Sequence, residues 1–232
     1  MEYKKTKYDI HLQRAFWSFS IVTGIFSIIF ALFQLSINAK LMREAKIKDQ
    51  PVFQVHFDYW QSGSHDINDH VDFRVECKGE EPRKIETPNL YTYIKFDYSG
   101  NYKESPKIFY IPIEYYFGWV LPTHNLKGKV AFTYTSTPNN AYSYKLYTES
   151  IEYSQVEHVN AFVSTIHITE IHYLDKYNEA KKVYFINEEN VDEKDAKEII
   201  QKSEEQFGYN KWRIEDLSML KIKEICSIET SK

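Results

Sequence analysis

The feature that constrains this chain most is a stretch of 23 residues without a charged side chain, from Ala15 to Ile37. A helix rises about 1.5 Å per residue, and about 20 helical residues cross the hydrocarbon core of a bilayer. A cleaved signal peptide usually has a shorter apolar core and a small-residue cleavage site. The next segment, NAKLMREAKIKD, favours helix and contains neither Gly nor Pro. We therefore predict an uncleaved transmembrane helix at 15–37, between a basic tail at 1–14 and a juxtamembrane helix or linker at 38–50.

Small and polar residues recur along this span at alternating spacings of four and three, which is a heptad pattern. The members of this polar stripe are Ser20, Gly24, Ser27, Ala31, Gln34 and Asn38. In lipid, helices associate by close approach at small residues and by hydrogen bonds between polar side chains. The stripe predicts a homo-oligomer, and with four or more chains it could line a narrow water-filled path. The alternative is that one register of an ordinary anchor helix looks regular by chance.

The sidedness of the membrane is weakly encoded. Four basic residues precede the span and four follow it, so the positive-inside rule gives no majority. The chain has two cysteines, Cys77 and Cys226, which excludes a disulfide framework but leaves a single bridge open. The helix-favouring basic segment after the span and the missing framework lead us to expect a cytoplasmic carboxy-terminal domain.

Between residues 51 and 187 the hydrophobic pattern alternates with period two. Val71, Phe73 and Val75 fall on one face of a predicted strand, with charged residues between them. The eight such runs are PVFQVHFDYW, HVDFRVEC, LYTYIKFDYS, KIFYIPIEYYF, KVAFTYTST, SYKLYTESIEY, FVSTIHITEIHYL and KKVYFIN. Short strands separated by turn signals predict a mainly-β domain, an antiparallel, immunoglobulin-like β-sandwich. Pro112 lies in the fourth run and indicates an edge strand or a bulge.

The segment 188–232 changes to a helical pattern. Asp192 is a candidate N-cap and Gly208 a candidate C-cap of a first helix, and a second helix is predicted at about 214–228. Both helices are expected to pack on the sandwich or on a neighbouring subunit.

The sequence contains no phosphate-binding loop, dinucleotide fingerprint, nucleophile elbow or zinc-protease motif, and we predict neither an enzyme nor a cofactor. The densest group of potential metal ligands lies in one predicted loop and comprises His65, Asp66, Asp69 and His70. A metal-dependent hydrolase built on them is one hypothesis, and a solvated hairpin loop is the simpler one. His167 and His172 are five apart and are predicted on opposite faces of a strand, whereas Glu170 shares a face with His172.

Charge and aromatic content restrict the partners. Residues 1–50 carry net charge +4 and the remainder −8, so broad binding of nucleic acid is not expected, whereas binding of acidic lipid headgroups to the anchor is. Tyr115, Phe117 and Trp119 could form a binding face for a small ligand or a protein partner. Core packing is the alternative for these aromatic residues.

The span SIVTGIFSIIFALFQLSINAKL followed by an all-β domain beginning at QPVFQV resembles uncharacterised bacterial single-span proteins with a β-sandwich sensor domain. In layout it also looks like membrane effectors of anti-phage defence systems. The resemblance implies a single-pass protein of the cell membrane whose β domain receives a signal and whose oligomeric helices form a gated pore. The alternative is a passive membrane-tethered adhesion or scaffold domain.

Overall fold

The computed structural model describes residues 7–48, 50–61, 68–100, 105–117, 120–121, 132–136 and 139–228. The chain divides into two compact units, Met1–Gln50 and Pro51–Lys232, each with its own internal contacts. We call the second one the β unit, and each unit is described by itself.

The first unit contains one continuous helix, α1 (Lys7–Lys48), of 42 residues. At 1.5 Å per residue its length is about 63 Å, twice the thickness of a hydrocarbon core. Within it, Gly24–Ala45 is long and apolar enough to cross a membrane, with mean hydropathy 1.7 and none of its side chains buried. The chain thus has an apolar N-terminal helix that continues beyond the predicted span.

The described residues of the β unit form ten strands, all paired antiparallel. In chain order they are β1 (Pro51–Trp60), β2 (His70–Gly79), β3 (Lys84–Ile85), β4 (Asn89–Ser99), β5 (Lys107–Ile113), β6 (Val120–Leu121), β7 (Phe132–Ser136), β8 (Asn160–Leu174), β9 (Ala180–Ile186) and β10 (Glu189–Val191). One sheet has the order β1-β2-β7-β6. The other has the order β10-β9-β8-β4-β5, with β3 added beside β8.

The two sheets bury a common core. Alternate side chains of β1 and β2, such as Phe57 and Phe73, face Phe96 of β4 and Val163 of β8 in one hydrophobic cluster. The ring of Phe53 lies 4.9 Å from that of Tyr173 across the two sheets, centroid to centroid. The alternation visible in the sequence therefore has its expected cause, one buried face on each strand.

The described part of the β unit also contains helices α2 (Asn139–Glu157), α3 (Glu193–Phe207) and α4 (Met219–Ile225), with a short 3-10 turn at Ile214–Asp216. Helix α2 packs on β8, and α3 packs on β5 and β9. Helix α3 covers part of the face of the larger sheet that points away from the common core. Its Ala196 is buried there in a second, smaller hydrophobic cluster.

One sequence prediction about this unit is wrong, and the fold class predicted for the chain holds in part. The run SYKLYTESIEY is not a strand but the middle of α2, because its buried positions, among them Leu146 and Ser150, follow a helical spacing. The mainly-β description holds in part, since about 40% of the residues of the chain are strand and 38% are helix, with α1 included. What holds is the coarser statement of two antiparallel sheets behind an apolar N-terminal helix.

Several finer predictions match the structure. Pro112 lies in β5, which among the described strands pairs with β4 alone and so forms an edge, although Ile113 at its end makes a single parallel bridge to Trp212. Helix α3 is flanked by Asp192 and by Gly208, whose φ of 62° is a conformation that glycine adopts readily. The predicted last helix is shorter, since it separates into the 3-10 turn and α4. Cys77 and Cys226 are both free thiols.

Candidate functional site

The aromatic segment after β5 forms a turn rather than a strand. The strand ends at Ile113, and the backbone N–H of Glu114 donates to the carbonyl of Trp212 at 2.9 Å. Tyr115 then takes a positive φ of 54° and leaves its ring 79% exposed, while the next residue, Tyr116, is buried. The predicted alternating strip is thus wrong in its backbone geometry, because burial of Tyr116 pulls the chain out of the ladder.

Helix α2 holds this turn in place. The side-chain amide of Asn139 donates to the carbonyl of Tyr115 at 3.1 Å and also to the carbonyl of Tyr116. The hydroxyl of Tyr116 is 3.0 Å from that of Ser143. Burial raises the pKa of Tyr116, although the hydrogen bond with Ser143 opposes the rise. The strained conformation of Tyr115 is therefore fixed by the first turn of a neighbouring helix, as strained residues must be.

The turn encloses one wall of a small pocket of about 160 Å³, which we call the aromatic pocket. Its lining residues come from the approach to β4, from β4 and from the turn after β5. They are Pro88, Leu90, Thr92, Ile113, Tyr115, Tyr116 and Phe117. Two of the three predicted binding residues, Tyr115 and Phe117, therefore share a pocket, whereas Trp119 lies outside the described residues.

A buried histidine lies directly behind the aromatic pocket. His167 of β8 is 2% exposed, and its Nδ1 is 3.0 Å from the hydroxyl oxygen of Thr92. Its ring stacks on Phe57 at 4.6 Å and contacts Phe117 at 5.1 Å. Desolvation by burial lowers the pKa of His167 to about 3, so the imidazole is neutral near pH 7.

The walls of the aromatic pocket are aromatic and aliphatic, and the Thr92 hydroxyl adds a polar group to them. One hydrogen-bonding position of that hydroxyl is used by His167. Among the described residues, the imidazole of His167 contacts aromatic rings and the Thr92 hydroxyl. The side-chain oxygen of Asn187 accepts a hydrogen bond from the backbone N–H of His167. The arrangement fits a small, flat, uncharged group that carries one hydrogen-bonding atom.

The predicted metal loop lies partly outside the described residues. His65 and Asp66 are not described. Of the other two candidates, the Nδ1 atom of His70 is 3.1 Å from a carboxylate oxygen of Asp69, and its ring stacks on Trp60 at 4.3 Å. Among the described residues there is no group of three or more His, Cys, Asp or Glu that could hold a metal ion.

The two histidines of β8 point to opposite faces, as predicted. His172 lies on the outer face, where its Nε2 is 2.7 Å from Glu170. Burial alone would raise the pKa of Glu170, but hydrogen bonds from His172, Tyr184, Lys182 and Asn89 lower it to about 2. Four hydrogen-bonding neighbours thus keep the Glu170 carboxylate ionised. Together they form a polar network on the outer face of the sheet.

The polar stripe lies on α1 throughout. Its members Gly24, Ser27, Ala31, Gln34 and Asn38 are exposed. A Cβ placed on Gly24 would meet no atom of the described residues within 4 Å. For Ser20 the structure describes the backbone alone.

Sequence reasoning missed Thr92 and Asn139. Thr92 sits in the middle of a strand pattern, where a single Thr carries no signal. Asn139 lies between Pro138 and Asn140 in a pattern typical of a turn, which also fits a helix start, since Asn is a preferred N-cap residue.

The chain matches no protein-family model, no curated protein and no solved structure.

Proposed function

We propose that this chain is a non-enzymatic, single-pass membrane protein that self-associates through α1 and binds a ligand or partner with its β unit. The observation that carries the proposal is the exposed apolar surface of α1. Phe26, Phe30 and Phe33 are each more than 60% exposed, in a segment where no side chain is buried. Such a continuous apolar surface is not tolerated in water and needs lipid or other helices around it.

The polar stripe supports self-association of the helices. Gln34 and Asn38 carry amide groups near one end of the apolar segment, where hydrogen bonds between helices compensate for lost water. The exposed Gly24 and Ser27 allow two backbones to approach closely. In an assembly of four or more chains this face lines a narrow path, which supports a pore opened by a ligand of the β unit.

We place the β unit on the cytoplasmic side of the cell membrane. Two free thiols, Cys77 and Cys226, suit a reducing compartment and support this side, while the positive-inside rule favours neither side. The layout is that of a membrane-disrupting defence effector, in which a soluble domain senses a signal. The aromatic pocket beside Tyr115 is the binding site that we assign to the β unit.

We also propose that the β unit is an immunoglobulin-like sandwich. The order β1-β2-β7-β6 corresponds to strands A-B-E-D of that fold, and β9-β8-β4-β5 corresponds to G-F-C-C′. Helix α2 then occupies the connection between strands E and F. This correspondence of strand order supports a Greek-key arrangement without the cysteine pair of antibody domains.

The first test is the mass of the full-length protein in nanodiscs. We expect a defined oligomer, and we expect Gly24→Leu together with Ser27→Leu to weaken it, because larger side chains keep the helices apart. The matched control is Ile25→Leu with Ile28→Leu, which changes residues outside the polar stripe. Equal assembly of both double variants contradicts self-association through the stripe.

A second test concerns the span and the pore. Ile29→Arg should abolish resistance to alkaline extraction, because Arg near the centre of a span costs about 2.5–3.5 kcal/mol. Met42→Arg, near the charged end of the apolar segment, should retain it. Ion flux through vesicles that contain the oligomer then separates a pore from a passive tethered scaffold, which shows assembly without flux.

A further inference from the structure

Strand β1 is an edge strand with one side of its backbone free of a neighbouring strand. It pairs with β2 alone in the described structure. The backbone N–H of Phe57 points away from β2, since it donates to a carboxylate oxygen of Glu188 at 2.8 Å. In an antiparallel pair the outward residues alternate, so Val55 and Tyr59 direct their N–H groups to the same side.

In the other sheet, strand β8 has a free stretch of backbone that lines the same groove. Outward backbone groups of β8 are bonded by Ser154 at Ala161, by Ser150 at Val163 and by Asn187 at His167. Strand β9 pairs with β8 from Ile168 onwards. Thr165 lies between these bonded positions. In the described part of the chain its outward backbone groups meet a groove instead of a protein donor or acceptor.

The groove has a volume of about 560 Å³ and lies between the two sheets. Phe57 and Tyr59 of β1 form one wall, Thr165 contributes to the floor, and the turn from 186 to 189 forms the other wall. It is separate from the aromatic pocket, with which it shares no lining residue. An unpaired strand edge beside an open groove is a geometry in which proteins add an extended peptide as a further strand.

The charge of the groove selects its occupant. Glu188 and Glu189 both line it, and neither forms an ion pair with a cation of the described residues. Burial, and next the charge of Glu188, raise the pKa of Tyr59. A second copy of this chain, paired edge to edge along β1, would bring the same carboxylates together. A segment with lysine or arginine would instead pair with them.

We propose that this groove binds an extended polypeptide segment that carries lysine or arginine and adds as a strand along β1. Glu188 occupies the Phe57 amide while the groove is free. An incoming strand takes over that N–H with a backbone carbonyl, and the released carboxylate pairs with its basic side chain. Backbone hydrogen bonds give the affinity, and the two carboxylates give the preference for a basic partner.

The test uses full-length protein in nanodiscs and a displayed library of random peptides of about 10 residues, the length of β1. We expect enrichment of peptides that alternate apolar and basic residues. The most enriched peptide is then synthesised and titrated by fluorescence anisotropy against variants. Tyr59→Pro removes an outward N–H but leaves the ladder with β2 intact, and Tyr59→Ala is its matched control, which keeps that N–H.

We expect Tyr59→Pro to bind about tenfold more weakly than Tyr59→Ala, since one carbonyl of the peptide loses its donor. Glu188→Gln should weaken binding at low salt and flatten its salt dependence. Thermal unfolding of each variant checks its fold. The proposal is overturned if no peptide is enriched over empty nanodiscs or if the enriched peptides are acidic. It is also overturned if the two Tyr59 variants bind the peptide equally, or if the protein forms dimers and binds no peptide.

Discussion

Apolar side chains of the same types are exposed in the first unit and buried in the β unit. Phe30 in α1 is 61% exposed, whereas Phe73 in β2 is fully buried between two sheets. Phe30 is flanked by Ile29 and Ala31, whereas Phe73 is flanked by Asp72 and Arg74, so the apolar residues are continuous in α1 and alternate with charged ones in β2. The difference is geometric, because strands from two sheets enclose their apolar faces, and a single helix cannot enclose its own surface.

This contrast separates two sources of stability. The β unit removes its aromatic side chains from water by packing them on one another, at the density of protein interiors. Helix α1 forms no such core, so its apolar surface is stabilised only when lipid or another helix covers it. Substitutions in the two units should therefore respond to different measurements.

The largest effect is expected from matched phenylalanine truncations. Phe73→Ala should lower the free energy of unfolding of the β unit by about 3–5 kcal/mol, because it removes a buried ring and leaves a cavity. Phe30→Ala should leave that free energy unchanged. Urea denaturation in detergent, followed by tryptophan fluorescence, gives both values. A similar loss in the two variants would mean that α1 packs into the fold, and the contrast would be broken.

An intermediate effect is expected from acid. His167 has a pKa of about 3 when folded and about 6.5 when unfolded, so the unfolded state binds more protons between these values. The stability is fully present above pH 6.5 and is lost as pH falls towards 3. At pH 4.5 the loss should be about 2–3 kcal/mol.

The control for the acid effect is His167→Phe, which keeps an aromatic ring among Phe57, Tyr116 and Phe117 but removes the titratable group. Its free energy of unfolding should fall less between pH 7 and pH 4.5 than that of the unchanged protein. A pH profile parallel to that of the unchanged protein would show that other groups cause the loss. The comparison sharpens the contrast, because α1 has no buried titratable group in its described side chains.

The smallest effect is expected at the junction of α2 and β8. Ser154→Ala should cost about 1–2 kcal/mol, because it leaves the N–H and carbonyl of Ala161 without partners. Thr148→Ala is the control on the same helix, since the Thr148 hydroxyl bonds its own helix at the carbonyl of Tyr144. Chemical denaturation distinguishes the two. Equal losses in the two variants would show that the bonds of Ser154 to Ala161 add no stability beyond that of a hydroxyl bonded within its own helix, since helix propensity favours Ala in both.

The strands were readable from the sequence where one face alone is buried. The run PVFQVHFDYW coincides with β1, because Phe53, Val55 and Phe57 alternate with half-buried or exposed residues. Helix α1 was readable because an uncharged stretch of that length has few other folds. These are local signals, and the structure reproduces them.

Helix α2 and the aromatic pocket were not readable for a shared reason. The buried side of α2 includes Asn139 and Ser150, polar residues whose partners come from the turn after β5 and from β8. A helix that buries polar groups shows little apolar period. The pocket likewise joins Thr92 and Tyr115, which are distant in sequence, so its existence depends on the register between strands and on one positive φ.

The serine contacts between α2 and β8 bear on the order of folding. Ser154 and Ala161 are seven residues apart, and Ser150 and Val163 thirteen apart, whereas β8 pairs with β4 across some seventy residues. Closing a short loop costs less chain entropy than closing a long one. The α2–β8 hairpin can thus form first and present β8 as a preformed edge to β4. The early part of the folding reaction would then be encoded by the helix that the strand pattern concealed.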